Sequence, residues 1–371
     1  MTTNSMDKRP PSDHSIADGP NGPGPLGNAW ELLRAHPSLL VIPWAVGVFL
    51  LPSILGQRWS DVATLIFIAT IGAVALNMVT GTAGQMSLGN AALMAVGAYT
   101  AAALTLEYPD LPFLVVVVAS SFAAGAVGLA VAIPALRLAG MYLVMATLAL
   151  HFIVQYSADR YQIAKAGVAG FLLPRPDIFG IQLDEGHNWL YFTALLATLA
   201  MLAYRNLLRS KYGRAWLGIH HREQAAEALG VNVSRYKFIA FGTSSAIIGL
   251  QGAVFSYYLY GVEIDTFSLA LAISYVAMII IGGMGSPLGS FLGAIFVIGL
   301  PFAVQDLIGK LPVDAPGVSL VSNQLFNIQS GLYGLAIIAF LLFEPSGLTG
   351  LSGRIKRVRS RRAASGNGES S

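Results

Sequence analysis

The sequence contains no cysteine and few charged residues. With no cysteine among its 371 residues, it has no disulfide bonds, thiolate metal sites or cysteine nucleophiles. Charged residues make up 11% of the chain, whereas a soluble domain contains about 25%. Hydrophobic residues make up 55%, and the mean hydropathy is +0.64. This composition indicates an integral membrane protein surrounded by membrane lipid.

Two further absences concern the source of energy. The apolar runs carry no carboxylate or lysine near their centres, so a buried coupling charge of the kind used by ion-driven carriers is missing. The sequence also has no G-x-x-x-x-G-K-[ST] phosphate loop, because Lys310 follows Gly309 but precedes Leu311. We therefore expect the chain to bind no cofactor, and any ATP to be used by partner polypeptides.

The remaining site chemistries are also poorly represented. The six histidines are scattered, and only His220 and His221 are adjacent, so the sequence predicts neither a catalytic cluster nor a metal site. Nothing in the sequence indicates a nucleic-acid partner. An ion-coupled secondary transporter remains the alternative from another class of protein.

Apolar runs of about 20 residues predict an all-α, polytopic membrane fold. Ten runs meet this length criterion, and eight to ten spans is the expected range because the last is short and the glycine-rich runs favour bent helices. The runs are 39–56, 61–79, 88–106, 111–133, 139–156, 188–205, 235–259, 267–283, 289–308 and 328–343.

The distribution of lysine and arginine predicts the orientation, because cytoplasmic loops retain these residues. With both termini in the cytoplasm, 17 of them lie inside and five outside. The external segments lean acidic and include Asp159 and Asp265. We therefore expect a cytoplasmic, disordered N-terminal tail and lead-in (1–38), a transmembrane permease domain (39–343) and a basic cytoplasmic C-terminal tail (344–371).

Polar residues at two places in the apolar sequence are candidates for a translocation path. Thr147, His151 and Gln155 recur at every fourth position and share one helix face, which fits either a path or a hydrogen-bonded seam between helices. Gln85, Ser87 and Asn90 lie in a glycine-rich segment where the backbone is expected to be broken. Other glycines, such as Gly285, Gly289 and Gly293, are spaced for close helix packing.

A polar, basic island overlaps the predicted cytoplasmic loop 206–234, between two apolar runs. It reads GRAWLGIHHREQAAEALGVNVSRYK from Gly213 to Lys237. Residues 224–229 favour a helix, Gly230 is suited to end it, and the alanines predict a smooth face for another protein. His220 and His221 fit this docking surface better than a metal site.

Together these residues resemble the inner-membrane permeases of ATP-binding-cassette importers, and among them the branched-chain amino acid permease family. The island is similar to the family's coupling-loop signature, with Gln224 where a glutamate is usual. Similar segments, in the same order as in the family, are spread over most of the chain. They are Gly81–Gly89, Gly97–Tyr99, Leu136–Tyr142, Gly213-Arg214-Ala215 with Ala225, Ala226, Glu227 and Gly230, Gly282–Gly289 and Pro345–Gly350.

The resemblance implies a multi-pass subunit of the bacterial inner membrane that imports branched-chain or hydrophobic amino acids. Its implied partners are two cytoplasmic ATPases, a second related permease, identical or not, and an external substrate-binding protein. Departures from the family pattern bear on the cargo: a threonine-and-glycine-rich external motif is altered at 164–171, and Phe302 replaces an acidic residue. Urea or short amides are therefore the alternative cargo.

Overall fold

The computed structural model describes residues 56–135, 140–178, 180–183 and 187–309, with isolated residues at 47, 52, 334, 335, 338 and 348. All of these ranges belong to the second of two compact units, Pro52–Ser371. Ten α-helices occupy most of them: α1 (Gln57–Asn77), α2 (Asn90–Glu107), α3 (Phe113–Ala135), α4 (Met141–Lys165), α5 (Asn188–Arg209), α6 (Lys211–His221), α7 (Glu223–Ala228), α8 (Val233–Tyr258), α9 (Leu269–Gly282) and α10 (Pro287–Gly309).

Short elements join the helices. A π-helical turn (Met78–Thr82) extends α1, and a 3₁₀ turn (Ile264–Phe267) precedes α9. Four two-residue strands form two antiparallel pairs, in which β1 pairs with β4 and β2 with β3: β1 (Phe171–Leu172), β2 (Asp177–Ile178), β3 (Ile181–Gln182) and β4 (Gly261–Val262). The fold is otherwise helical, as the apolar runs predict.

Eight of the ten predicted runs are helices in the structure, and the runs at 39–56 and 328–343 lie outside the described ranges. So do the predicted domain limits and both termini. Within the described residues, six helices are long and apolar enough to cross a membrane: α1 with its π-turn, α3, α4, α5, α8 and α10. Helix α9 has 14 residues and is about 21 Å long, less than the hydrocarbon thickness. The chain is a polytopic membrane protein.

The interior of the bundle forms around α1, α2 and α8. Helix α8 packs against α1, α2 and α3, while α1 packs against α5 and α10. Most of the residues of α1 are buried, whereas α3, α4, α5 and α10 leave large apolar side chains exposed on the outside of the bundle. That surface suits contact with lipid, because it would be costly in water. Exposed examples are Phe122, Ile153, Leu199 and Leu292.

Glycines allow the closest helix contacts, as their spacing predicts. A Cβ atom on Gly97 of α2 would overlap the backbone of Gly249 on α8. In the hairpin of α9 and α10, a Cβ on Gly293 would overlap the carbonyl of Met278. Gly285 serves a turn instead, because its φ of 76° lies in the left-handed region.

Candidate functional site

The predicted break in the backbone lies between α1 and α2. After the π-turn, residues 83–89 form neither helix nor strand, and Gly84 has a φ of 71°. Local hydrogen bonds stabilise this segment: the Gln85 amide donates to the Val79 carbonyl at 3.0 Å, and the Thr80 hydroxyl donates to the Gln85 carbonyl at 3.1 Å. Ser87 lies within the break, and Asn90 is the first residue of α2.

Asn77, at the end of α1, fixes the inner side of this break. Its Nδ2 donates to Ser290 Oγ at 2.8 Å and to the Ser286 carbonyl at 3.1 Å, while its Oδ1 accepts the Gly285 amide at 2.7 Å. The side chain thus ties α1 to the turn between α9 and α10. Asn77 was not among the predicted site residues, although it is the only asparagine in the apolar run 61–79.

The polar stripe Thr147, His151 and Gln155 lies on α4, as predicted. Thr147 and His151 are buried, and Gln155 is half-buried. The Leu88 amide donates to Thr147 Oγ1 at 3.0 Å, so the inner end of the stripe is bonded to the broken segment. The path and the interhelical seam both remain predictions for the stripe.

Several side chains near this bond and in the broken segment are buried without partners among the described residues. Both ring nitrogens of His151, both polar atoms of the Asn90 side chain and Gln85 Oε1 have no hydrogen-bond partner among the described residues. His151 and Asn90 are each 1% exposed. Leaving buried polar groups unpaired costs about 1–3 kcal/mol per group, so the arrangement favours an additional polar partner in some state of the protein.

The stripe continues outward to an acidic cleft. Asp159 lies four residues beyond Gln155, and both line a cleft of about 300 Å³ together with Asp265 of the 3₁₀ turn. From Thr147 to Asp159 the stripe spans about 18 Å of helix. Asp159 was recognised in the sequence only as an external acid, although its spacing already placed it on the stripe. The other residues lining the cleft are Phe152, Tyr156 and Ile264.

The basic island folds as two short helices, α6 and α7. Ser210 caps α6 by accepting the Tyr212 amide at 3.1 Å. Trp216 is fully buried, and its Nε1 donates to the Tyr236 carbonyl on α8 at 2.8 Å. Gly213 is also buried and lies close to the backbone of Leu208. These contacts hold α6 against the transmembrane helices.

Helix α7 ends as the sequence predicts. It covers residues 223–228, and Gly230 follows it with a φ of 82°. The Gly230 amide donates to the Glu227 carbonyl at 2.8 Å, and the Val231 amide donates to the Ala226 carbonyl at 3.0 Å. These two bonds satisfy carbonyls at the helix end and require the left-handed conformation that glycine adopts readily.

The alanines of α7 do not form one outward face. Ala226 is 5% exposed and packs with Ile219 and Val233 of the same chain. A helix this short touches its neighbours through one position in each turn, so Ala226 turns inward while Ala225 faces outward. Exposed residues of the loop include Arg214, Gln224, Ala225, Glu227, Ala228 and Gly230, whereas Ala215 is half-buried.

The two candidate regions touch each other. His220 of α6 lies against the broken segment: a Cβ on Gly84 would be 3.0 Å from its Nδ1. Lys237 of α8 forms an ion pair with Glu223 of α7, with Nζ and Oε1 2.6 Å apart. The loop 206–234 therefore contacts both the break and α8.

Comparison with known proteins assigns the chain to a family. The sequence model of the family described as the permease component of branched-chain amino acid transport systems matches residues 59–341. The chain belongs to this family. It is accordingly a multi-pass protein of the bacterial inner membrane.

Curated relatives agree with the family match. The permease protein LivM of the high-affinity branched-chain amino acid transport system of Escherichia coli is 31% identical over 67% of this chain and 64% of its own length. LivM of Salmonella typhimurium is 29% identical over the same shares. The nucleoside ABC transporter permease protein NupC of Lactococcus lactis is 24% identical over 40% of this chain and 45% of its own length. No solved structure matches the chain.

Proposed function

We propose that this chain is the membrane-spanning subunit of an ATP-binding-cassette importer for branched-chain and other hydrophobic amino acids. The family match over residues 59–341 and the names of the two LivM relatives support this cargo. The work would come from ATP hydrolysis in partner subunits, because the sequence has neither a phosphate loop nor a mid-span coupling charge.

The proposed mechanism rests on the contact between His220 and Gly84. In this mechanism, an ATPase docks on the outward residues of α7 and moves α6 and α7 together. That motion reaches the broken segment through His220 and reaches α8 through the ion pair of Glu223 with Lys237. A short helix can act in this way because packed elements shift between discrete arrangements rather than deforming continuously.

Cargo would follow the polar face of α4. It would enter at the cleft formed by Gln155, Asp159 and Asp265, pass His151 and reach the break beside Thr147. The deep part of this face carries neutral polar groups, which can exchange hydrogen bonds with a zwitterion without holding it by a full charge. Gln85, Ser87 and Asn90 would complete the inner end of the path.

The assembly we propose contains two cytoplasmic ATPases, a second related permease and an external substrate-binding protein. Both termini of this chain would be cytoplasmic, with tails at 1–38 and 344–371 flanking the permease domain 39–343. The excess of lysine and arginine on the proposed inner side supports this orientation. The loop 206–234 then faces the ATPases.

Affinity purification from the membrane of the native host, followed by mass spectrometry, tests the assembly. We expect an ATPase, a second permease and a binding protein to be retained, with an untagged strain as the control. Titrating the recovered binding protein with leucine, urea and nucleosides then identifies the cargo class. Recovery of the chain without any ATPase under conditions that preserve other importers would contradict the proposal.

A further inference from the structure

We propose that the N-terminus of α2, with the side chains of Asn90 and His151, binds the carboxylate group of a zwitterionic cargo during transport. This inference rests on the proposed import of amino acids and assigns one functional group of the cargo to one place in the protein.

The N-terminus of α2 is buried and has no side-chain cap. Gly89 is its N-cap, and the first helical amide with an acceptor is that of Leu93, which donates to the Gly89 carbonyl at 3.0 Å. The preceding amides of Asn90, Ala91 and Ala92 have no acceptor in the described part of the chain, and these residues are 1%, 0% and 2% exposed. Free amides at a helix start attract anions, and the helix dipole adds to this attraction.

The two amides directly before α2, those of Leu88 and Gly89, have acceptors, unlike the three amides that follow. The Leu88 amide donates to Thr147 Oγ1 at 3.0 Å, and the Gly89 amide donates to Ser87 Oγ at 3.2 Å. The two amides directly before α2 therefore have acceptors, whereas the first three amides of α2 do not. A helix end that is buried in this way usually has a ligand or cap.

Unpaired side chains at the same place are an independent observation. Asn90 and His151 are buried, and none of their four side-chain nitrogen and oxygen atoms has a partner among the described residues. The turn of α4 before His151 packs on the helix start, because a Cβ on Gly89 would be 3.4 Å from Thr147 Cβ and 3.6 Å from Leu150 Cδ2. Asn90 and His151 are the residues directly after Gly89 and Leu150, so they lie on the two elements that meet here.

The donors and acceptors match the head group of an amino acid. A carboxylate accepts hydrogen bonds from the free amides, from Asn90 Nδ2 and from a protonated nitrogen of His151. The unpaired oxygens, Asn90 Oδ1 and Gln85 Oε1, can accept from an ammonium group. Leu93 and Leu150 are buried nearby and provide apolar surface for an aliphatic side chain.

The nearest carboxylate on the polar face of α4 does not compete for this site. Asp159 lies eight residues from His151, about 12 Å along the helix. Urea has no carboxylate and would leave the helix dipole without a counter-charge, so the site favours amino acids over uncharged amides.

A new negative charge at Asn90 in the assembled transporter tests the site. In proteoliposomes that contain the full complex and its binding protein, we expect Asn90→Asp to lower leucine uptake per ATP hydrolysed at least tenfold, because the new carboxylate repels that of the cargo. Stimulation of ATP hydrolysis by the binding protein should remain. The matched control is Asn188→Asp, the first residue of α5, whose Nδ2 already donates to the Gln182 carbonyl at 2.9 Å. Wild-type uptake per ATP in Asn90→Asp would overturn the inference.

Photo-crosslinking of the wild-type complex keeps the inference testable if Asn90→Asp fails to assemble. The probe is the diazirine analogue of leucine, and we expect labelled peptides from 85–96 and 147–155. Leucine should compete with the label, whereas 3-methylbutylamine, which lacks the carboxylate, should not. Labelling elsewhere, or equal competition by the amine, would overturn the carboxylate site. A wild-type complex that does not import leucine would instead refute the proposed function.

Discussion

At the residue scale, the closest helix contacts depend on glycines whose partners are distant in sequence. Gly97 lies against Gly249, and Gly252 lies against the backbone of Met94. The spacing of small residues predicted that helices would approach closely, but no local pattern could identify which helices meet. The same limit applies to Asn77, whose side-chain partners lie more than 200 residues away.

An added methyl group at the crossing of α2 and α8 should therefore be costly. We expect Gly97→Ala to destabilise the protein by about 1–3 kcal/mol, because the new Cβ meets backbone that cannot move aside. Thermal unfolding in detergent measures the effect as a midpoint several degrees lower. Gly218→Ala on α6 is the control: nothing lies within 4 Å of its Cβ, so its midpoint should stay or rise. Equal midpoints for both variants would mean that this crossing is not tightly packed.

At the element scale, the sequence predicted the end of α7 better than its orientation. The left-handed glycine at 230 is a local requirement, and residue type alone reveals it. The inward turn of Ala226 depends on Ile219 and Val233, and a six-residue helix of small side chains has no apolar periodicity to predict it. Trp216, on the buried face of α6, was present in the island but was not among the predicted site residues.

The orientation of α7 determines how its docking surface should be tested. We expect Ala225→Arg to prevent the ATPase from co-purifying, because the exposed alanine is replaced by a long, charged side chain at the proposed interface. Ala226→Arg would instead disrupt packing within this chain. The control is Ala169→Arg, the same change at an exposed alanine of the proposed external loop. Retention of the ATPase by Ala225→Arg would place the docking surface elsewhere.

At the scale of the whole molecule, hydropathy predicted eight helices correctly within the described residues, because apolar segments in lipid must satisfy their own backbone hydrogen bonds. The pairing of helices was not predictable in the same way, since nearly all of them are apolar around their whole circumference. The proposed path was only partly visible in the sequence. Spacing placed Thr147, His151 and Gln155 on one face, but the link from Thr147 to Leu88 required the folded chain.

The most direct test of the account is leucine uptake by the purified complex in proteoliposomes, with proton and sodium gradients collapsed by ionophores. Our account predicts that uptake requires ATP and the binding protein, and that an inactive ATPase subunit abolishes it. Concentrative uptake by this chain alone, driven by an ion gradient without any ATPase, would contradict the account and identify a secondary transporter.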